Sequence, residues 1–414
     1  MRNSADFGST EDGTPLALAA GMASETLTRV AGWLALTVAT TGCGIDYSYN
    51  AEEYARRTAP VEKGAMVVDV IDSRPRLPGA DPEDAAEDLE DLKEAVHEHL
   101  TLDGIITSPN QLKATPKSPD EVERILAKAE ADGAPQVMFL SWRTASFRGY
   151  AISLAGFSYL VGIIPWIIVD SLPISRHASD SVFAAIVIDP KTKEILHQAT
   201  PLGTYGEKVN AWGFSPDSIM REMTGRTLQR ALEGVAAARK AGFPNKRPMD
   251  DMGKFVMAWP ENRMEGTRFH GVGFSVEAPE GWKLDEEKGS LQAPEAKTKL
   301  VVYHSPMLLR ADDQLEESKE TLADPEGEIL TPRDALGANP ARRLVSFKDV
   351  KSAGRPALEI IFSVGKTREI ERRIPVHGWQ FNFVCEGPAE EKAELEVCTK
   401  AFGSIQLDVV TMPD

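Results

Sequence analysis

Residues 358–385 read LEIIFSVGKTREIERRIPVHGWQFNFVC, and they carry the clearest indication of the fold. Large apolar side chains occupy every second position of two runs: Leu358, Ile360, Phe362 and Val364, then Trp379, Phe381, Phe383 and Cys385. Successive side chains of a strand point to opposite faces, so this alternation is typical of half-buried antiparallel strands. The stretch therefore predicts strands of an antiparallel sheet.

The flanking sequence extends this sheet and adds a helix. Upstream, residues 272–276 alternate in the same way. Downstream, a helical pattern places Leu395, Cys398 and Phe402 on one stripe. Together these patterns predict a domain of strands and helices over residues 254–410.

Two of the three cysteines fall in this domain. Cys385 ends a strand, and Cys398 lies on the helix that packs over it, both on the inferred buried side. We therefore predict a disulfide between them, which the oxidising compartment of an exported protein would preserve. The alternative is two buried free thiols.

The domain resembles PsbP-type proteins in several segments. They are residues 274–282 (FSVEAPEGW), residues 354–359 (GRPALE) and a closing strand, helix and short strand that ends at 404–407. The resemblance covers most of residues 254–410 and implies an α/β/α sandwich. In that family the fold binds protein partners and has no shared catalytic residues. Residues 310–335 match poorly, so no partner-binding surface is carried over.

The N-terminal half mixes helical and strand-like patterns. Helices are predicted after Asp81, Ser118 and Ser215, because each is followed by a proline, whose missing N–H costs nothing at a helix N-terminus. Ser118 and Glu121 also have the spacing of a capping box. Strands are predicted at 66–71, 104–107, 136–142, 181–188 and 194–196, with a hairpin turn at Asp189-Pro190.

These strands and helices indicate an α/β or α+β layer over residues 63–245. Residues 67–71, residues 136–140 and the Asp189-Pro190 hairpin resemble a group of envelope proteins. The group comprises the amino-terminal domain of TolB, the LpoB-type activators and the CsgG family. The resemblance implies an interaction module for periplasmic assemblies rather than an enzyme.

The predicted fold class is α+β (α/β) with two domains, as a length of 414 residues suggests. Each domain is a mostly antiparallel or mixed sheet packed with helices. A linker over residues 246–253 separates them. A signal region (1–43) and a polar tether (44–62) precede them.

The signal region ends in a cysteine. Arg29 supplies a positive charge, residues 30–41 form a short apolar run, and small residues precede Cys43. This arrangement resembles the lipobox of bacterial lipoproteins, whose cysteine receives diacylglycerol and becomes the new N-terminus. Met22 is predicted as the start because it gives a signal of normal length. By the same resemblance, Gly44 favours the outer membrane, facing the periplasm. The alternatives are an ordinary cleaved signal and an uncleaved anchor.

The charge balance limits the partners. A net charge of -17 argues against nucleic acid, whose phosphates need a basic surface. It also argues against electrostatic docking on anionic lipid. The predicted partners are therefore the membrane, reached through the lipid anchor, and an envelope protein.

No catalytic motif stands out. His97 and His99 are two residues apart, so their imidazoles point to different faces of a helix and cannot share a zinc ion. The sequence has no phosphate loop and no C-x-x-C pair. We predict no enzyme, no catalytic residue, no metal ligand and no cofactor. A pocket that gathers several of five histidines with carboxylates would instead favour a hydrolase: His177, His197, His270, His304 and His377.

The uncharged apolar segment 149–169 is as long as a membrane span. Gly156, Gly162 and Pro165 interrupt any helix there, so we predict a non-spanning loop or hairpin within 149–175 that joins two strands. Its tip would contact lipid or a partner through Ile163, Ile164, Trp166 and Ile167. The alternatives are burial by its own domain and a continuous spanning helix.

These observations favour a lipid-anchored, non-catalytic binding or scaffolding module of the cell envelope. One alternative is a subunit of a secretion or pore-forming assembly that inserts residues 149–169. A second alternative is a hydrolase whose site is assembled from scattered residues.

Overall fold

The structure is a computed structural model. It describes these residues: 59–73, 82–102, 105, 111–150, 175–209, 216–258, 262–295, 297–307, 309–323 and 342–412. All of them belong to one compact unit. Helices combine with antiparallel and mixed sheets, which confirms the predicted α+β class. In this described part, no helix is both long and apolar enough to cross a membrane. We call residues 59–245 the N-terminal half and residues 246–412 the C-terminal half.

The N-terminal half is built on one mixed sheet. Its described strands are β1 (Met66–Val67), β2 (Ile71–Asp72), β3 (Val137–Tyr150), β4 (Ser175–Asp189), β5 (Glu194–Ala199) and β6 (Leu202–Val209). Its described helices are α1 (Pro82–Leu102), α2 (Pro119–Ala131) and α3 (Pro216–Lys240). Each of these helices begins at the proline where the sequence predicted a helix start.

Strands β3 and β4 form the centre of this sheet and pair antiparallel along their whole length. The outer edge of β3 takes β1 and β2 in parallel. Both β5 and β6 pair antiparallel with the outer edge of β4. Strand β6 pairs with residues 175–182 of β4, and β5 pairs with residues 185–189. Helices α1 and α3 bury apolar side chains against one face of the sheet. Helix α2 packs on the other face.

Side-chain oxygens fix two local features of this half. The carboxylate of Asp189 accepts hydrogen bonds from the amides of Lys191 (2.8 Å) and Thr192 (3.2 Å), which closes the predicted hairpin. The predicted capping box is wrong. Ser118 caps α2 without a side-chain hydrogen bond, and the Glu121 carboxylate instead accepts from the amide of Lys117 at 2.6 Å. In a capping box the Glu121 carboxylate would accept from the backbone N–H of Ser118. Here the backbone N–H of Lys117 donates to it instead.

The C-terminal half contains two antiparallel sheets. Its described strands are β7 (Arg247–Pro248), β8 (Arg263–Glu265), β9 (Arg268–Gly271), β10 (Phe274–Glu277), β11 (Lys283–Asp285), β12 (Ser290–Gln292), β13 (Lys299–Pro306), β14 (Arg342–Ser352), β15 (Arg355–Val364), β16 (Thr367–Val376), β17 (Trp379–Pro388), β18 (Gln406–Leu407) and β19 (Val409–Met412). Its described helices are α4 (Met252–Met257), α5 (Ala311–Ala323) and α6 (Lys392–Ala401), followed by a 3-10 turn, Phe402–Ser404.

A seven-stranded sheet has the order β11-β12-β13-β17-β16-β15-β14, and a four-stranded sheet has the order β18-β10-β9-β8. The core lies where these sheets meet α6. Phe381, Phe383 and Cys385 point into it, as the alternation predicts. Leu358 and its alternating neighbours face the opposite side, where α5 covers them.

The two halves are joined by shared strands. The last strand, β19, pairs in parallel with β6 of the N-terminal half. Strand β7 pairs with β5, and α4 packs with α2 in a common apolar cluster. Residues 246–253, predicted as a linker, thus contain β7 and the start of α4. Pro248 is tolerated because β7 lies at the end of the strand order.

Gly206 and Gly378 mark the closest approach of the halves. A Cβ on Gly206 would collide with the backbone of Gly378, which itself has a φ of +76°. Only glycine combines that conformation with so little bulk. The turn between β16 and β17 can therefore rest directly on β6.

Cys385 and Cys398 form the predicted disulfide, with their Cα atoms 5.9 Å apart. Both residues are fully buried. We expect the double substitution Cys385→Ala/Cys398→Ala to lower the free energy of unfolding by about 3 kcal/mol, because the bridge restricts the unfolded chain. Denaturant titration with and without reductant measures this. Reductant should weaken the wild type and leave the double variant unchanged, and equal stability of the two oxidised proteins would contradict the prediction.

Candidate functional site

Several residues predicted from the sequence lie outside the described residues. They are the lipidation site Cys43 and the contact residues Ile163, Ile164, Trp166 and Ile167. Strands β3 and β4 pair as far as Tyr150 and Ser175. The two ends of the segment between them therefore leave neighbouring strands.

A cavity of about 260 Å³ opens where the halves meet. The N-terminal half contributes β5 and one face of α3. The C-terminal half contributes β8, β9, β10 and β18. Polar lining residues are His197, Gln198, Thr200, Arg230, Arg263, Glu265, His270, Ser275, Gln406 and Asp408, and apolar ones include Ala199, Phe274 and Leu407. We call this cavity the crevice pocket.

Arg263 connects the two halves at the floor of the crevice pocket. Its Nε donates to Glu265 Oε1 at 2.6 Å within β8. Its Nη2 donates to the carbonyl oxygen of Gln198 in β5 at 2.7 Å, and its Nη1 reaches Thr200 Oγ1 at 3.4 Å. Arg263 is 9% exposed and Glu265 is 5% exposed. Buried charges persist when they are paired and hydrogen-bonded, and this pair meets that requirement.

Arg247 supports the same carboxylate from β7. It donates to Glu265 Oε1 at 3.4 Å and to the side-chain oxygen of Gln198 at 2.8 Å. Burial alone would raise the pKa of Glu265, but Arg263 and the neighbouring imidazoles hold it below its ordinary value. Glu265 is therefore ionised at neutral pH, and its role is structural.

Two of the five histidines singled out in the sequence converge here. Burial lowers the pKa of His197 to about 4, against the attraction of Glu265. Burial lowers the pKa of His270 to about 4 in the same way. Both rings are thus neutral near pH 7. Nε2 of His270 lies 3.8 Å from Glu265 Oε2, and it has no hydrogen-bond partner among the described residues.

The other three histidines lie elsewhere. His304 stacks on the ring of Trp379, with ring centroids 5.6 Å apart. His377 accepts a hydrogen bond at Nδ1 from the amide of Ala311 at 3.0 Å. His177 lies in β4, at a position paired with Arg148. The crevice pocket therefore gathers two histidines and two carboxylates, Glu265 and Asp408, the second of which is paired with Arg230.

These groups are poorly suited to acid–base catalysis. A general base works best when its pKa lies near the working pH, and an imidazole with a pKa of about 4 is a weak base. The hydroxyl of Ser275 accepts hydrogen bonds from Arg268, at 3.0 and 3.3 Å, and no base activates it among the described residues. Glu265 is occupied by two arginines. The arrangement is suited to holding a ligand.

The described residues contain no group of three or more His, Cys, Asp or Glu side chains placed to hold a metal ion. Arg263 and Arg247 surround Glu265 instead. Their positive charges oppose binding of a cation there.

A second buried carboxyl lies near the contact between the halves. Asp180 is 5% exposed and shares a face of β4 with Val182, which belongs to the core of the C-terminal half. Its Oδ1 has no hydrogen-bond partner in the described part of the chain. Burial raises the pKa of Asp180 to about 7, although Arg143 nearby pulls it down. The ionised form is therefore costly in the folded protein.

Asp180→Asn is expected to stabilise the protein in a pH-dependent way. The folded pKa of Asp180 lies above its ordinary value of 3.8, so rising pH between those two values favours the unfolded chain. Removing the carboxyl should raise the free energy of unfolding by about 2 to 4 kcal/mol at about pH 8 and by almost nothing at about pH 4, at ~1.4 kcal/mol per pKa unit. Denaturant titration at both pH values measures this.

Asp250→Asn, at an exposed position, is the matched control, and we expect it to change stability little at either pH. A loss of stability in Asp180→Asn at about pH 8 would contradict the prediction.

No motif in the sequence marks Arg263 or Glu265 as site residues. The spacing of these two residues in the sequence could have indicated the pair. They are two residues apart on a strand, so their side chains share a face, and only pairing makes two charges on one buried face tolerable.

No known protein-family model matches the chain, and no curated protein sequence matches it either. One similar solved structure is the solution structure of cyanobacterial PsbP (CyanoP) from Synechocystis sp. PCC 6803, at 13% identity, covering 36% of this chain and 94% of that one, with a TM-score of 0.25. Another is the crystal structure of LpqN, involved in cell envelope biogenesis of Mycobacterium tuberculosis, at 13% identity, covering 36% of this chain and 90% of that one, with a TM-score of 0.24. Neither of these two similarities bears on the lipobox or on the likeness to TolB, LpoB and CsgG, which stay predictions from the sequence.

Proposed function

We propose that this protein is a lipid-anchored, non-catalytic binding module of the bacterial cell envelope, on the periplasmic side of the outer membrane. Cys43 and the residues before it support the anchor. The crevice pocket supports the binding role, and one observation carries it. The buried pair of Arg263 and Glu265 is already hydrogen-bonded, while both imidazoles are neutral and the buried Nε2 of His270 has no hydrogen-bond partner among the described residues.

The position of the crevice pocket also supports binding. Ligand sites occur preferentially at domain interfaces, in concave places with an apolar lining and a few convergent polar groups. The pocket meets this description through Phe274 and Leu407 on one side and the histidines on the other. The apolar residues Ile163, Ile164, Trp166 and Ile167 are proposed as a separate contact with lipid or a protein partner.

Native mass spectrometry of the protein, extracted from its own envelopes with mild detergent, tests the binding role. We expect a bound small molecule on the wild type and none on Gln406→Trp, because an indole at this exposed lining position fills the pocket. Glu396→Trp is the matched control, since this exposed position on α6 does not line the pocket, and it should keep the ligand.

Two outcomes would contradict the proposal. One is the absence of any bound molecule on the wild type. The other is conversion of the recovered ligand to a product when it is incubated with pure protein, which would restore the hydrolase alternative.

A further inference from the structure

More arginines than carboxylates act on the two imidazoles of the crevice pocket, although the chain as a whole carries a net charge of -17. Three arginines and one carboxylate shift the pKa values of the two imidazoles through their charges: Arg247, Arg263, Arg268 and Glu265. Arg268 is also paired with the exposed Glu277 at 2.7 Å. Even without Arg268, two guanidiniums face a single carboxylate in a place from which most water is excluded.

One solvent-exposed ion pair lies at the mouth of the crevice pocket. Nε of Arg230 on α3 donates to Asp408 Oδ1 at 2.6 Å, and the two side chains are 54% and 40% exposed. Glu233 on the same helix lies near Arg230 and adds to the negative side. An arginine has more N–H donors than this one bond uses, so Arg230 can still donate to a ligand.

The imidazoles of His197 and His270 both line the crevice pocket, and Nε2 of His270 is buried without a hydrogen-bond partner among the described residues. A neutral imidazole has one N–H donor, and it gains a second donor when it takes up a proton. Between these rings and Arg230, a ligand meets donors and positive charge. Next to them, Ala199, Phe274 and Leu407 offer an apolar surface.

We propose that the crevice pocket binds a small organic carboxylate, with its charged group between His197, His270 and Arg230 and its apolar part against Phe274. This inference rests on the proposed binding function and names the chemical class of its ligand. A carboxylate accepts hydrogen bonds at both oxygens, which matches donors that converge from β5, β9 and α3. It also balances the excess of arginine over Glu265.

Proton uptake follows from this arrangement. A bound anion favours the protonated form of a nearby histidine, so binding raises the pKa of His197 and His270 from their low values. Glu265, Arg247, Arg263 and Arg268 already face these rings, and they act equally with and without the ligand. Affinity should therefore increase as the pH falls below neutrality, by at most about 10-fold per pH unit for each proton taken up.

Three probes of the same shape test the charge preference: benzoate, benzamide and benzamidinium. Imidazole NMR signals of the full protein, followed during titration, report both binding and the two histidine pKa values. We expect benzoate to bind most tightly and to raise both pKa values. Tighter binding of benzamidinium, equal binding of benzamide, or no binding of benzoate would each overturn the carboxylate inference. The proposed function would survive these outcomes if native mass spectrometry still finds a bound molecule.

Two variants at the mouth should shift benzoate affinity in opposite directions. Arg230→Gln should weaken binding by about 10-fold or more, because a charged hydrogen bond is lost. Asp408→Asn should tighten it about 2-fold or more, because a negative charge is removed, and damage to the fold cannot produce a gain. Arg226→Gln is the control, one turn away on the same helix and outside the pocket lining. Weaker binding by Asp408→Asn, or an equal loss in Arg226→Gln, would overturn the inference.

Discussion

Replacing Cys43 by serine should remove most of the membrane attachment of the protein. The predicted anchor consists of two or three acyl chains, and each buried methylene contributes ~0.8 kcal/mol to membrane binding. Without the thiol no diacylglycerol can be attached, and the net charge of -17 gives no attraction to anionic lipid. The expected result is therefore a large loss of membrane attachment.

Detergent phase separation and the intact mass of the purified protein measure this effect. The wild type should enter the detergent phase with the mass of a chain that starts at Cys43 and carries lipid. Cys43→Ser should stay in the aqueous phase as an unlipidated precursor. The variant Cys385→Ala/Cys398→Ala is the matched control, because it removes the other two cysteines and should keep the lipid. Equal partition of Cys43→Ser and the wild type would disprove the lipobox assignment.

The local elements of the fold were predictable because their signals lie close together in the sequence. Pro82, Pro119 and Pro216 each begin a helix where an N-cap residue and proline predicted one. The alternation at 379–385 correctly assigned the buried face of β17. Cys385 and Cys398 could be paired because both side chains lie on buried faces of adjacent elements. In each case a local pattern fixed the direction of the side chain.

Strands β6 and β19 were not predicted, for different physical reasons. Strand β6 contains Gly203 and Gly206, which lower strand propensity but are needed for close approach by Thr227 and Gly378. Strand β19 pairs with β6 across roughly two hundred residues of sequence, and no local pattern predicts such a distant pairing. The junction of the halves therefore could not be inferred from the sequence.

The crevice pocket could not be predicted from the sequence for the same reason. His197 and His270 are visible in the sequence, but their convergence depends on β5 and β9 lining the same pocket at the junction. Arg263 reads in the sequence as an ordinary charged residue of a short strand. Its contacts with the carbonyl oxygen of Gln198 and with Thr200 Oγ1 show that it joins the two halves.

Arg263→Met is expected to lower the free energy of unfolding by about 3 to 5 kcal/mol, because it leaves the buried Glu265 with too little compensation. Arg247 stays near this carboxylate, but at 3.4 Å it makes a longer contact than the 2.6 Å bond that is lost. The substitution also removes the hydrogen bond to Gln198 in β5. Denaturant titration at neutral pH measures the loss. Hydrogen exchange should show faster exchange in β5 and β9 before the rest of the protein unfolds.

The double variant Arg263→Met/Glu265→Leu separates the cost of an unpaired charge from the value of the pair itself. Replacing both partners of a buried ion pair by apolar residues is often neutral or stabilising, so the double variant should regain most of the stability lost in Arg263→Met. Arg247 loses its ion pair with Glu265, but it keeps its bond to the side chain of Gln198 at 2.8 Å, and its side chain is 20% exposed, so water still solvates its charge. The wild-type pair would then orient β8 against β5 rather than stabilise the fold. A double variant no more stable than Arg263→Met would show instead that the bonds from Arg263 to β5 supply the stability, because those bonds are absent from both variants.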